Sequence, residues 1–243
     1  VRPPGRCLDT AGHRRLEDMA VTSQPARSRP GSVDQLARLA PPSRSRLLGS
    51  DVGIVTLGIV LTALGLWLAD GGIGELTSSF QGTLTGIGQL AGLAAGLAAL
   101  GGLVLAARPL SLERRYGLDR MLGWHRWTGM IVAFGLLLHV VALVWAYSLR
   151  SGRTPISEIA FLFSEPWFPA AMTAGGLMAL VSISSYRRIR NRMHYETWYY
   201  LHLLGYLAVA LALGHVVTAG SDFSDNLAAR IWWLALYAAV AAV

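Results

Sequence analysis

The sequence predicts an all-α integral membrane protein, a bundle of six transmembrane helices, on the grounds of composition and hydrophobic pattern. Of its 243 residues, 53% are hydrophobic and 14% are charged, whereas soluble domains carry about 25% charged residues. The mean hydropathy is +0.44. The apolar residues gather in six runs of helix length rather than at the scattered core positions of a globular domain. A soluble globular enzyme is therefore excluded.

The six apolar segments define the predicted helices. A helix needs about 20 residues to cross the hydrocarbon core, and the middle four segments reach or nearly reach that length. The last segment has 16 residues before the sequence stops, as if the helix were truncated. The segments are 52–69, 87–107, 124–147, 169–186, 198–218 and 228–243.

Residues 1–50 form a polar region of a different character. They contain nine Arg and four acidic residues, with several Pro and Ser. No apolar stretch of about 7–15 residues leads to a small-residue cleavage site, so a signal peptide is not indicated. We predict a disordered, basic cytoplasmic tail over 1–50 and a membrane domain over 51–243. The single cysteine, Cys7, excludes a disulfide framework and a cysteine metal site.

The arginines orient the helices, and all 21 basic residues are Arg. The loops at 108–123 and 187–197 carry four Arg each, whereas the intervening loops hold three Arg in total. Basic loops stay in the cytoplasm, so we predict a multi-pass protein of the cytoplasmic membrane with its N-terminus inside. The net charge of +7 then reflects orientation in a lipid bilayer, and no nucleic-acid partner is expected. The arginines of 187–192 could dock a reductase or anionic lipid, although orientation alone accounts for them.

The glycines of the second segment allow two interpretations. Residues 86–91 match the G-x-G-x-x-A variant of a dinucleotide-binding fingerprint, but that motif requires a preceding strand, and none is predicted. Gly88, Gly92 and Gly96 recur at a spacing of four, which is typical of closely packed membrane helices. We therefore expect these glycines to lie at a helix contact.

Four of the six histidines lie inside apolar segments. His125 and His139 belong to the third segment, and His202 and His215 belong to the fifth. Ionisable residues inside a span are costly and usually serve a function. Both segments enter from the cytoplasmic side, so His125 and His202 share an inner level. His139 and His215 then share an outer level, about 20 Å away at 1.5 Å per residue.

Two imidazoles at each level suit haem better than a bare ion. Zinc takes about three or four protein ligands, whereas haem supplies four equatorial nitrogens and needs only axial ligands. A haem with two axial His has no open position, which favours outer-sphere electron transfer. The alternatives are His hydrogen-bonded between helices, or a non-enzymatic transporter or scaffold with a proton relay. The interiors of these segments contain no Asp or Glu to extend such a relay.

Helix geometry places the two histidines of the third segment on one face, but not the two histidines of the fifth segment. Fourteen residues at about 100° each return to nearly the same face, so His125 and His139 point the same way. Gly129 and Gly135 lie near that face, either to make room for a macrocycle or for ordinary packing. Thirteen residues leave His202 and His215 on different faces. A kink at one of the glycines at 205 and 214, or different ring tilts, would be needed to bring both to haem.

The residues around these histidines resemble the ferric reductase-like transmembrane family, which includes the NADPH oxidases. The first matching segment is GLDRMLGWHRWTG at 117–129, followed by His139. The second is HYETWYYLHLLGY at 194–206, followed by His215. The resemblance covers about residues 50–243.

The resemblance implies a bacterial oxidoreductase of ferric reductase or NAD(P)H oxidase type with two b-type haems. His125 and His202 would be the axial ligands of the inner haem, and His139 and His215 those of the outer haem. Electrons would pass from a cytoplasmic reduced flavin to an outer-face acceptor such as ferric iron or oxygen. FAD and NAD(P)H would bind a C-terminal domain that this sequence lacks, or a partner flavoprotein.

Two explanations account for the missing flavin domain. The sequence is either a fragment of a longer reductase or a stand-alone haem subunit. The second possibility resembles the membrane partner of the periplasmic methionine sulfoxide reductase, which takes electrons from a separate flavoprotein.

Several residues near the His pairs have both a functional and a simpler interpretation. Arg126 could neutralise a haem propionate, and membrane orientation explains it equally well. Arg150 and Arg153 could meet the outer propionates or an anionic acceptor, or be plain loop charges. Seven aromatic residues near the span ends are interpreted as membrane-interface residues rather than electron relays. They are Trp124, Trp127, Trp145, Tyr147, Trp198, Tyr199 and Tyr200.

Overall fold

The computed structural model describes residues 49–166, 168–218 and 226–243, and the predicted disordered tail lies almost wholly outside them. These residues form ten helices and no strand, which confirms the all-α prediction. The helices are α1 (Gly49–Ala69), α2 (Gly72–Ser78), α3 (Phe80–Ala107), α4 (Leu110–Tyr116), α5 (Leu118–Ser151), α6 (Pro155–Leu162), α7 (Phe168–Ser185), α8 (Arg187–Arg190), α9 (Tyr195–Thr218) and α10 (Leu227–Ala241).

Five of the described helices, α1, α3, α5, α7 and α9, are long and apolar enough to cross a membrane. They coincide with the first five predicted segments and extend some of them by several residues. The sixth segment corresponds to α10, which has 15 residues and is shorter than a span of about 20 residues. The multi-pass architecture is therefore supported with five spans, and the count of six is not confirmed.

Local chemistry sets the helix boundaries. The side chain of Ser79 caps α3 by accepting a hydrogen bond from the backbone N–H of Gly82 at 3.0 Å. At the other end, Arg108 adopts the left-handed conformation with φ 52°, and Pro109 follows. Thr154 caps α6, whose first residue is Pro155. The short helices α2, α4, α6 and α8 lie in segments predicted only as loops, because fewer than nine residues carry no clear hydrophobic period.

Glycines bring α3 and α5 into close antiparallel contact along most of their length. A β-carbon at Gly88 would meet Leu143, and one at Gly92 would meet the ring of His139. On α5, Gly135 lies against the backbone of Ala91. The four-residue glycine pattern is therefore a packing surface, as predicted, and residues 86–91 lie within a helix rather than after a strand.

A second pair, α7 and α9, also packs along its length. By contrast, the described helices α5 and α9 have almost no close backbone approach to each other. A cluster of Leu100, Val209, Ala229 and Trp233 joins α3, α9 and α10 on one side of this gap. The fold thus consists of two tightly packed helix pairs, with a gap between the backbones of the two helices that carry the four histidines.

Replacing Gly88 with Val should weaken the packing of α3 against α5. A β-carbon at this position would lie 2.8 Å from the side chain of Leu143, and overpacking of this kind costs about 1–3 kcal/mol. We expect a lower midpoint of thermal unfolding for the purified protein in detergent. Gly101→Val is the matched control on the same helix, since nothing lies within 4 Å of its β-carbon. An equal loss in both variants would contradict close contact at Gly88.

Candidate functional site

The structure brings the four membrane histidines together as two pairs. The ring centroids of His125 and His202 lie 5.9 Å apart, with 70° between the ring planes. Those of His139 and His215 lie 6.2 Å apart, with 76° between the planes. Each pair joins α5 to α9. We call His125 and His202 the basic-end pair, because the arginine-rich α4 and α8 lie at that end of the helices, and His139 and His215 the opposite-end pair.

Both histidines of α5 are held by backbone carbonyls of α3. Nδ1 of His125 lies 3.1 Å from the carbonyl oxygen of Gly102, and Nδ1 of His139 lies 2.8 Å from that of Gly88. A carbonyl oxygen can only accept, so the geometry assigns the proton to Nδ1 in both rings. Each Nε2 then keeps its lone pair, which is the arrangement found in metal-ligating histidines.

The two histidines of α9 have different surroundings. Nδ1 of His202 lies 3.2 Å from the hydroxyl of Ser185, at the end of α7. Nδ1 of His215 is buried and has no hydrogen-bond partner among residues 49–166, 168–218 and 226–243. An ideal helix separates positions 13 residues apart by about 140°, so the two rings approach α5 from opposite flanks of α9. Ser185 ends α7 at the basic end, and His215 lies about 20 Å farther along α9, so only His202 can contact Ser185.

The pair geometry fits two nitrogens that share one metal. Metal–imidazole bonds of about 2 Å place two ring centroids roughly 6 Å apart across a shared metal, as in both pairs. In the described part of the chain, no group of three or more His, Cys, Asp or Glu side chains converges on a common point. Each pair therefore offers two ligands, too few for a bare ion and sufficient for a metal that brings its own equatorial ligands.

One glycine on α3 makes room for a ring. A β-carbon at Gly92 would lie 2.5 Å from Nδ1 of His139, whereas one at Gly102 would lie 3.8 Å from His125, an ordinary contact distance. The proposed role of Gly135 in making room for a macrocycle is not supported, because this residue faces α3 rather than the gap toward α9. Nothing described lies within 4 Å of a β-carbon at Gly129.

The arginines singled out from the sequence have varied surroundings. Arg126 is exposed on α5, one residue after His125, and Arg150 is exposed at the end of the same helix. Arg153 donates to the carboxylate of Glu158 at 3.4 Å and lies over the ring of Phe161. Since Glu158 is 4% exposed, this ion pair already balances the charge of Arg153.

Sequence reasoning missed the residues that hold the histidines. Gly88 and Gly102 are 14 residues apart, the same spacing as His125 and His139, and this shared spacing was the available signal. Trp198 was interpreted as a membrane-interface residue, but its ring stacks on that of His202 with centroids 4.9 Å apart. Its position one helical turn before His202 was the signal for that contact.

Comparison with known families identifies the family of this chain. The profile of the family described as "Ferric reductase like transmembrane component" matches residues 85–213, more than half of the chain. The chain belongs to this family. The matched stretch contains His125, His139 and His202 and ends two residues before His215. No curated protein and no solved structure gives a significant match.

Membership in the ferric reductase-like family has a general functional consequence. It associates the chain with oxidoreductases and with the movement of electrons across a membrane. The long apolar helices fit a membrane-embedded, multi-pass member of that family.

Chemical cross-linking should reproduce the pairing of levels. In a Cys7→Ser background, His139→Cys with His215→Cys places two thiols across the gap, and a short bifunctional thiol reagent should join α5 to α9. The mixed combination of His125→Cys with His215→Cys should stay unjoined, because positions 125 and 139 are about 21 Å apart along the helix.

Cleavage between α5 and α9, followed by electrophoresis, measures this linkage, since joined fragments migrate together. The combination of His125→Cys with His202→Cys is the second matched pair and should also join. Equal joining of matched and mixed combinations would show that the two levels are not held as the structure has them.

Proposed function

We propose that this protein carries electrons across the cytoplasmic membrane through two bis-His b-type haems. The donor is a reduced cytoplasmic flavin supplied by NAD(P)H, and the acceptor lies on the outer face, ferric iron or oxygen being examples. The observation that carries the proposal is the presence of two His pairs, at two depths, whose ring separations suit a shared metal. Family membership supports the same conclusion.

The protein would hold each haem between α5 and α9. His125 and His202 are the ligands at the basic end, and His139 and His215 are those at the opposite end. Haem supplies a one-electron couple between ferric and ferrous iron. With two histidines on each iron, the protein would leave no ligand position for a substrate, and electron transfer to the acceptor would be outer-sphere.

Backbone carbonyls prepare these positions before any ligand binds. Those of Gly102 and Gly88 accept the proton of Nδ1 of their histidines, so Nε2 keeps its lone pair for a metal. The backbones of α5 and α9 stay apart, and the ring separations of 5.9 and 6.2 Å suit a metal shared by the two rings of each pair. The two levels, about 21 Å apart, divide a hydrocarbon core of about 30 Å into shorter steps.

The electron source lies on a separate domain or protein in this proposal. A reduced flavin gives up two electrons one at a time, and the basic-end pair receives them first. FAD and NAD(P)H would bind a C-terminal domain of a longer reductase, or the chain would serve as the haem subunit of a periplasmic reductase system such as methionine sulfoxide reductase. Arg126, exposed beside His125, is retained as a candidate for contact with a propionate.

Single His→Ala substitutions should remove the haems selectively. His139→Ala or His215→Ala should abolish the opposite-end haem, and His125→Ala or His202→Ala the basic-end haem, because each iron loses one of two axial ligands. Reduced-minus-oxidised spectra and haem-to-protein ratios of the purified chain measure the loss. The unmodified chain should contain two haems.

His194→Ala is the control for this series, since His194 is exposed outside the long helices and should leave both haems in place. A full haem content in all four membrane variants would contradict the ligand assignment. A colourless unmodified chain would contradict the haem proposal and favour a non-enzymatic membrane protein with structural histidines.

Labelling of introduced cysteines should show the basic end in the cytoplasm. In the Cys7→Ser background, Ile156→Cys lies on α6, where Ile156 is 81% exposed, and Ser111→Cys lies on the exposed surface of α4. A membrane-impermeant maleimide should label Ile156→Cys in intact spheroplasts and Ser111→Cys only in inverted vesicles. The reverse pattern would overturn the proposed direction of electron flow.

A further inference from the structure

A column of stacked side chains links the surface helix α8 to the basic-end pair. Trp198 stacks on His202 with 23° between the ring planes. The guanidinium carbon of Arg190, at the end of α8, lies 3.8 Å from the centroid of the Trp198 ring. His202 in turn faces His125. We call Arg190, Trp198 and His202 the basic-end column.

Membrane-interface preference does not explain this column. Arg187, Arg188 and Arg192 are exposed, whereas Arg190 is half-buried against the indole. An interface tryptophan usually presents its N–H to water or lipid headgroups. Nε1 of Trp198 is instead enclosed and, within the described residues, has no hydrogen-bond partner. The indole is therefore held by the contacts of its ring with Arg190 and with His202.

The column constrains the orientation of His202. The stacked indole opposes rotation of the imidazole on one side, and the Ser185 hydroxyl contacts Nδ1. A cation over the indole face is attracted by the ring quadrupole, so Arg190 helps to keep the indole in place. The opposite-end pair differs. Among the described residues, no tryptophan stacks on His215, and Nδ1 of His215 has no hydrogen-bond partner.

We propose that Trp198 is a positioning residue for His202, and that Arg190 makes the basic-end haem easier to reduce. This inference rests on the proposed function. A fixed positive charge near a site that gains one electron stabilises the reduced form, and a poorly solvated surrounding strengthens the effect. The column thereby favours electron uptake at the end that faces the flavin.

The charge is tested with Arg190→Gln in the complete, haem-loaded chain. A redox titration followed by visible absorbance should show the basic-end haem shifted to lower potential, with the opposite-end haem unchanged. We expect about a tenfold loss in the equilibrium constant for electron uptake, which corresponds to about 59 mV for a one-electron couple. Arg192→Gln is the matched control, because Arg192 is exposed on the same loop and should leave both potentials unchanged.

The positioning role is tested with Trp198→Leu and Trp198→Phe. The low-spin ferric EPR signal depends on the angle between the two axial imidazole planes, so Trp198→Leu should shift or broaden the signal of the basic-end haem only. Trp198→Phe keeps an aromatic face and should restore the signal. Tyr199→Leu is the control, since Tyr199 stacks on Tyr195 through the same helical spacing without touching His202.

The outcomes separate this inference from the proposed function. An unmodified chain without a b-type spectrum contradicts the proposed function. A chain with two haems whose basic-end potential and EPR signal are unchanged in Arg190→Gln and Trp198→Leu contradicts the basic-end column alone. Equal shifts in the Arg192→Gln and Tyr199→Leu controls would also overturn it.

Discussion

A buried imidazole N–H without a hydrogen-bond acceptor is costly, and the helix pair α3 and α5 avoids this cost for both histidines of α5. The carbonyls of Gly88 and Gly102 supply the acceptors for His139 and His125. Helical carbonyls already bond within their own helix, so a second donor reaches them only where side chains leave the backbone open. Glycine on α3 provides that access. The close packing of these helices and the orientation of both rings are therefore consequences of the same contacts.

The spacings of the histidines determine how similar the two levels can be. On α5, 14 residues bring both rings to one face, so both meet the same neighbouring helix and receive the same kind of acceptor. On α9, 13 residues place the rings on opposite flanks, and only His202 lies at the level of Ser185. The surroundings of the two levels are therefore similar on α5 and different on α9. Any difference in chemistry between the two levels should originate mainly on α9 and its neighbours.

The sequence predicted the long helices well, because lipid imposes a minimum length and an apolar composition that hydropathy detects directly. It missed the four short helices, because four to eight residues carry little periodic signal, and its sixth span is not confirmed. The pairing of His levels followed from Arg placement and spacing. Backbone acceptors such as Gly102 were missed because they leave no side-chain signature. The partner of Arg153 was missed because Glu158, five residues later, comes within reach only when the first turn of α6 forms.

Because the backbones of α5 and α9 stay apart, the proposed haems would also affect the stability of the fold. Helices in lipid associate through packing and polar contacts rather than hydrophobic burial, and α5 and α9 have almost no close backbone approach that could add to such packing. Among the described residues, the cluster around Leu100, Val209 and Trp233 bridges the pairs on one side. A planar group ligated from both α5 and α9 would bridge them through the gap itself. The ligands proposed for electron transfer would then also fix the distance between the two halves of the bundle.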